Sequence, residues 1–241
     1  RIGSQILTHY PETIQIAKTI TSQEAALDTR QSSTIFIPEL AKDILEQIVF
    51  EARKSEFVDV KSGVSARLSI TAFENLVSTA ERRLLHSGDD KTGIRMSDFT
   101  GIIPAITGKI ELVYEGEQEG AYNVALTLLG NAIKSLYSEF FPKIEKIEKQ
   151  GVESPYDEIV SWFFNHSEDF EILDDILEKD YTSILEKVKP LSEFVLKYQV
   201  GVTSEEVCFW QEFVLWSLVE HKKLSKYRYA EGVQFKDPYG S

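Results

Sequence analysis

Apolar residues recur at helical spacing along most of the chain. Leu40, Ile44, Ile48 and Ala52 follow Pro38 at four-residue intervals, which predicts a helix with one apolar face, opened by a proline tolerated in its first turn and closed before a turn at 59–63. Ala66, Ile70, Phe73, Val77, Ala80 and Leu84 form a second stripe, and Gly88 is placed to stop it in the left-handed conformation. Thr71 and Glu74 have capping-box spacing and offer a later start, but the unbroken register from Ala66 favours the earlier one. Val124, Leu128, Ala132, Leu136 and Phe140 predict a long helix over 122–141, ended or kinked by Pro142.

Between these stripes the pattern changes. Residues 97–119 read as a short apolar helix, a break at Gly108, and a β-prone run at 110–114 that predicts a small strand or hairpin. The charged run 143–150 reads as a solvated helical extension or linker. Ser154 and Pro155 then read as cap and first helical residue, leading Ile159, Phe163 and Phe164 into the core. Further helical stretches are expected over 170–177 and 184–198. Thr203 and Glu206 form a capping box ahead of Val207, Trp210, Val214 and Leu218, and the tail after Lys222 carries little pattern. The fold class is therefore mainly α. Acidic residues and glycines cluster at 116–120, which places a boundary between a unit at 1–120 and a helical unit at 121–241.

Composition narrows the chemistry. With 42% hydrophobic residues among 241, the chain can bury a substantial core. The formal net charge is −13 and the balance is acidic in both halves, so nucleic acid, which demands a positive surface, is not the expected partner. No stretch is long and apolar enough for a membrane span, and the first residues lack a signal pattern, so a soluble cytoplasmic protein is expected. Cys208 is the only cysteine; it excludes an internal disulfide and reads as core.

Most candidate constellations fail on spacing. Gly108–Lys109 lacks both the glycine five positions earlier, where Ile103 stands, and the following hydroxyl, where Ile110 stands, so it reads as a turn rather than a phosphate loop. His9, His86, His166 and His221 are scattered and suggest no metal site. Glu111, Glu115, Glu117 and Glu119 read as a solvated acidic run. No serine sits in a nucleophile-elbow pattern. The aromatics Trp162, Phe163, Phe164, Trp210 and Trp216 sit at helical spacing and read as core; the alternative, in which they form the docking surface of a stand-alone helical interaction module, remains open at this point.

One ordered set of blocks is specific. The run Ser62-Gly63-Val64-Ser65-Ala66-Arg67-Leu68-Ser69-Ile70, with Glu74 and Ala80-Glu81-Arg82-Arg83, is preceded by Thr8-His9-Tyr10-Pro11. It is followed by Gly108-Lys109-Ile110-Glu111-Leu112 and Tyr114-Glu115-Gly116-Glu117. This resembles the lid segment of magnesium-chelatase subunit I-like, MoxR-type AAA+ ATPases over residues 1–120. Over 121–241 the resemblance rests on Glu212-Phe213-Val214-Leu215 and Leu224-Ser225-Lys226.

The resemblance implies that the chain starts at the end of an α/β core, so that the Walker motifs precede Arg1. ATP and Mg2+ then belong to the longer protein, and this chain alone is expected to hold no cofactor and to be inactive. It implies that Arg67 is the sensor 2 arginine that reaches the terminal phosphate, and that Arg1 lies in the region supplying an arginine finger to a neighbouring subunit. Sister AAA+ subunits in a ring, and a von Willebrand A-domain protein, are the implied partners. Arg82 and Arg83 lie too far along the helix to reach the same phosphate and read as intersubunit or intrahelical salt-bridge residues. His9 reads as structural.

Overall fold

A computed structural model of the protein describes residues 3–144, 154–166, 170–229, 231–236 and 238. The architecture is mainly helical. The first helix, α1 (Ile14–Glu24), is opened by Thr13, whose hydroxyl accepts from the Ile16 N–H. In α2 (Thr29–Thr34), Asp28 and Gln31 cap each other reciprocally at 2.7 and 3.2 Å. The chain then passes through β1 (Ile35–Phe36) into α3 (Glu39–Lys54), whose stripe Leu40, Ile44, Ile48 and Ala52 is buried as the spacing predicts.

The longest helix is α4 (Arg67–Ser87), so the earlier of the two possible starts is the one adopted. Gly88 ends it at φ 78°, with its N–H on the Leu84 carbonyl at 3.1 Å, a conformation in which a side chain would be strained. After β2 (Thr92–Gly93), which runs parallel to β1, a 3-10 turn (Met96–Ile102) leads into α5 (Ile103–Thr107) and its break at Gly108. The β-prone run that follows does not form a hairpin. It is extended but pairs only in a single antiparallel bridge, Val58 with Leu112, because Tyr114 already enters α6 (Tyr114–Glu119).

Helix α7 (Ala121–Phe140) ends before Pro142 and lays its buried face, from Val124 to Tyr137, on α3. Most of the charged run at 143–150 lies outside the described residues. Helix α8 (Asp157–His166) follows Ser154 and Pro155, two residues later than their reading as cap and first helical residue. Phe163 is buried there, but Phe164 is 69% exposed.

The stretch at 170–177 is not a helix. Phe170 and Ile172 are buried while Glu171 and Leu173 are exposed, an alternation that makes β3 (Glu171–Leu173) the edge of a three-stranded sheet in the order β3-β5-β4. The stretch at 184–198 is split in two, α9 (Glu178–Glu186) and α10 (Lys189–Tyr198), with Pro190 in the first turn of the second. Helix α11 (Ser204–Glu220) starts where the Thr203 and Glu206 pair places it, the Glu206 carboxylate accepting from the Thr203 N–H at 3.2 Å. It is buried almost all round, from Cys208 to Leu218, and α7 and α10 pack against it. The tail forms an antiparallel pair, β4 (Ser225–Tyr229) and β5 (Gly232–Lys236).

In this pair Lys226 lies with its ammonium 3.2 Å from the Trp216 ring centroid. Burial lowers its pKa from 10.5 to about 8, and the Glu220 carboxylate offsets this only in part. Between pH 8 and 10.5 the unfolded chain therefore holds the proton that the folded chain has lost, and stability rises with pH across that window. Lys226→Met is accordingly expected to raise stability at pH 7 by about 1–3 kcal/mol, the contact with the indole face reducing the full penalty. The gain should shrink as pH climbs from 8 to 10.5. Paired thermal melts across that range check it, and a difference independent of pH would refute it.

Candidate functional site

The segment entering α4 is built from three separated parts of the chain. After α3 ends, the Val58 bridge to Leu112 is flanked by two backbone bonds, Asp59 N–H to the Glu111 carbonyl at 2.8 Å and Val113 N–H to the Phe57 carbonyl at 3.1 Å. Asp59 then turns the chain: its side chain accepts from the Lys61 N–H at 2.8 Å, and its carbonyl accepts from the Gly63 N–H. Gly63 has φ +71°, and a Cβ there would collide with the Tyr10 hydroxyl. The Ser62 hydroxyl donates to the Glu111 carboxylate.

Arg53, in the last turn of α3, reaches this loop. Its Nε donates to the Val64 carbonyl at 3.1 Å, and its guanidinium lies 4.3 Å over the Tyr10 ring. Burial holds Arg53 somewhat below its ordinary pKa, against the pull of Tyr10 and Glu46. From the other side, the Glu46 carboxylate of α3, 1% exposed, accepts from the Ser69 hydroxyl in the first turn of α4 at 2.7 Å and from Thr21 of α1. Burial raises the Glu46 pKa, with both hydroxyls opposing.

Between these two anchors stands Arg67, the first residue of α4. It is exposed and makes no side-chain hydrogen bond or ion pair among the described residues. Ala66 before it offers no side-chain cap. The Leu68 N–H is taken by the Ser65 carbonyl at 3.0 Å, but no side chain caps this helix start; a guanidinium there suits an anion, because the cation and the helix dipole act with the same sign. Arg1 lies outside the described residues. His9 bonds its neighbour's backbone, Nδ1 to the Tyr10 carbonyl at 2.9 Å, and is exposed.

Arg83 and Arg82 part company. Arg82 is exposed, whereas Arg83 is 5% exposed and fixed by Asp98 (2.8 and 3.3 Å), Thr92 and the Gly93 carbonyl. Its partners are therefore on other elements of the same chain, and it is not part of an intrahelical pair. Although burial opposes its charge, the Asp98 carboxylate holds Arg83 above its ordinary pKa. The same carboxylate accepts from the Arg95 N–H at 2.8 Å. The Arg95 side chain, 1% exposed, bonds Glu178 at 3.1 Å and the Ile176 carbonyl at 3.2 Å, and lies 4.1 Å over the Tyr181 ring. Tyr181 in turn donates to Glu212 at 2.8 Å, and the same Glu212 oxygen accepts from the Met96 N–H at 2.9 Å. This cluster ties the far end of α4 to α9 and α11, and the burial of Arg83, Arg95 and Glu212 was not legible from the sequence.

Beside it opens a cleft of about 540 Å3 lined by Ser33, Phe36, Lys91, Glu178, Thr182 and Cys208, among others. It begins past the C-terminus of α4, roughly 30 Å along that helix from Arg67 at 1.5 Å per residue. The two regions are therefore separate. The aromatics proposed as an alternative docking surface are mostly interior: Phe163, Trp210 and Trp216 are buried and Trp162 is half-buried. No cluster of three or more metal-binding side chains occurs among the described residues, and no described helix is long and apolar enough to cross a membrane. No protein-family model, curated protein or solved structure matches the chain.

Proposed function

We propose that this chain is the nucleotide-sensing lid and C-terminal helical region of a cytoplasmic AAA+ ATPase of the magnesium-chelatase, MoxR-like type. In this reading the ATP and Mg2+ sit on an α/β core contributed by residues before Arg1 or by another polypeptide. ATP supplies the phosphoanhydride whose hydrolysis drives remodelling of a partner protein. The contribution of this chain is Arg67, which binds the terminal phosphate and distinguishes ATP from ADP. Sister subunits form a ring, and a von Willebrand A-domain protein is a candidate partner of that ring.

The observation that supports this reading best is the state of Arg67. In a chain with 39 carboxylate residues against 26 lysines and arginines, this arginine has no carboxylate partner among the described residues. It stands at a helix start without a side-chain cap, which two anchors hold in place. A guanidinium kept free at a fixed point suits a ligand that arrives from outside the chain. The residues therefore fit a phosphate, while the loop and magnesium ligands of a complete site are not found at Gly108–Lys109. The 241-residue chain alone is expected to turn over no ATP above buffer. Joined to its core it should hydrolyse ATP, and Arg67→Ala should slow that reaction; equal rates for the two proteins would reject the proposal.

A further inference from the structure

We infer that Arg53, together with Tyr10, is the positioning pair that fixes where Arg67 presents its guanidinium. This rests on the nucleotide reading of Arg67 given above. Arg53 is 14 positions before Arg67 and on a different helix, yet its Nε–H is the side-chain donor to the Val64 carbonyl, three residues before Arg67. A guanidinium holds such a contact with a planar group stacked on a ring, here Tyr10 at 4.3 Å, with Phe50 at 5.4 Å beside it. Tyr10 completes the arrangement by placing its hydroxyl in the space that a side chain at residue 63 would fill.

The consequence is mechanical. Gly63 turns the chain in the left-handed region, Arg53 holds the next residue from one side, and Glu46 holds Ser69 from the other. The first turn of α4 lies between those fixed points, and no side chain caps it. Loss of the Arg53 contact frees the 63–66 loop while leaving the packed remainder of α4 in place. Arg67 then samples several positions, and a charged contact misplaced by an ångström loses much of its catalytic value.

Four variants test this, each compared with Arg67→Ala. In the 241-residue chain, the Arg67 Nε–H resonance should shift in Arg53→Gln and in Tyr10→Ala, with melting temperatures within a few degrees of the parent. In the ATPase joined to its core, Arg53→Gln should lower kcat by about 3–10-fold with KM for ATP little changed. Arg53→Gln combined with Arg67→Ala should be no slower than Arg67→Ala alone, since one residue acts through the other. Arg53→Lys should not rescue, because lysine keeps the charge but loses the Nε contact and the planar stack. Full rescue by lysine, an unmoved Arg67 resonance in both variants, or additive losses in the double variant would overturn the positioning role. Undiminished hydrolysis by Arg67→Ala would instead overturn the nucleotide reading beneath it.

Discussion

Glu212→Leu is expected to cost the protein about 3–5 kcal/mol, and Glu212→Gln a smaller amount, about 1–3 kcal/mol. The Glu212 side chain is fully buried, and one of its oxygens accepts from both the Tyr181 hydroxyl and the Met96 N–H. Leucine removes that acceptor and leaves two interior donors without a partner, each costing roughly 1–3 kcal/mol. Glutamine keeps an acceptor oxygen at the same reach, but its amide takes the place of the other oxygen, which has no hydrogen-bond partner among the described residues, so the new N–H donors are left unpaired.

The pH dependence follows from the direction of the shift. Burial raises the Glu212 pKa above the ordinary 4.5, with Tyr181, Met96 and Arg95 opposing. A raised carboxylate pKa means that its share of stability is fully present below the unfolded value and is lost as pH rises through the folded value. The cost of Glu212→Gln should therefore be smallest at neutral pH and grow as pH falls towards 4.5. At 2–4 °C per kcal/mol for a chain of this size, Glu212→Leu should melt about 6–20 °C below the parent. Equal melting temperatures for the leucine and glutamine variants would show that the two donors do not depend on this carboxylate.

What was legible in the sequence divides along physical lines. The stripes beginning at Leu40, Ala66 and Val124 are long, keep one period and end at recognisable breakers, so α3, α4 and α7 are found nearly to the residue. The short strand β3 is not. Its alternation covers only Phe170 to Leu173, and the strand it needs lies some sixty residues further on, where Val233 and Gln234 pair with it. The hairpin β4–β5 escaped for a related reason: Ser225 to Tyr229 is largely polar and mostly solvent-facing on its own strand, so no apolar stripe announces it.

The charged interior was illegible because an arginine or glutamate in a helix pattern reads as a solvated face. Met96 and Glu212 are 116 residues apart, and only the packed fold shows that each satisfies the other. The candidate site was half legible. Arg67 stood out through the blocks that resemble an ATPase lid, and its exposure at the helix start is a structural fact. Arg53 and Tyr10 carried no such signal on their own, since their roles appear only when three distant segments meet at Gly63 and Val64.

The second large effect concerns Arg67 itself. On the proposed nucleotide reading, a charge-assisted contact to the terminal phosphate, formed most strongly as charge shifts during hydrolysis, is worth about 1.5–3 kcal/mol, which corresponds to roughly a 10- to 150-fold loss of turnover on removal. Stability should be almost untouched, because the side chain is exposed, makes no ion pair among the described residues, and alanine is the best helix former. Lysine should restore only part of the rate, keeping the charge without the planar fork.

Steady-state ATP hydrolysis by the core-joined protein, measured for wild type, Arg67→Ala and Arg67→Lys beside their melting curves, is the most direct test. The expected result is a fall of at least about tenfold for alanine, an intermediate rate for lysine and three superimposable melts. Three equal rates would contradict the sensor assignment, and a lost rate accompanied by a collapsed melting curve would make Arg67 a structural residue instead.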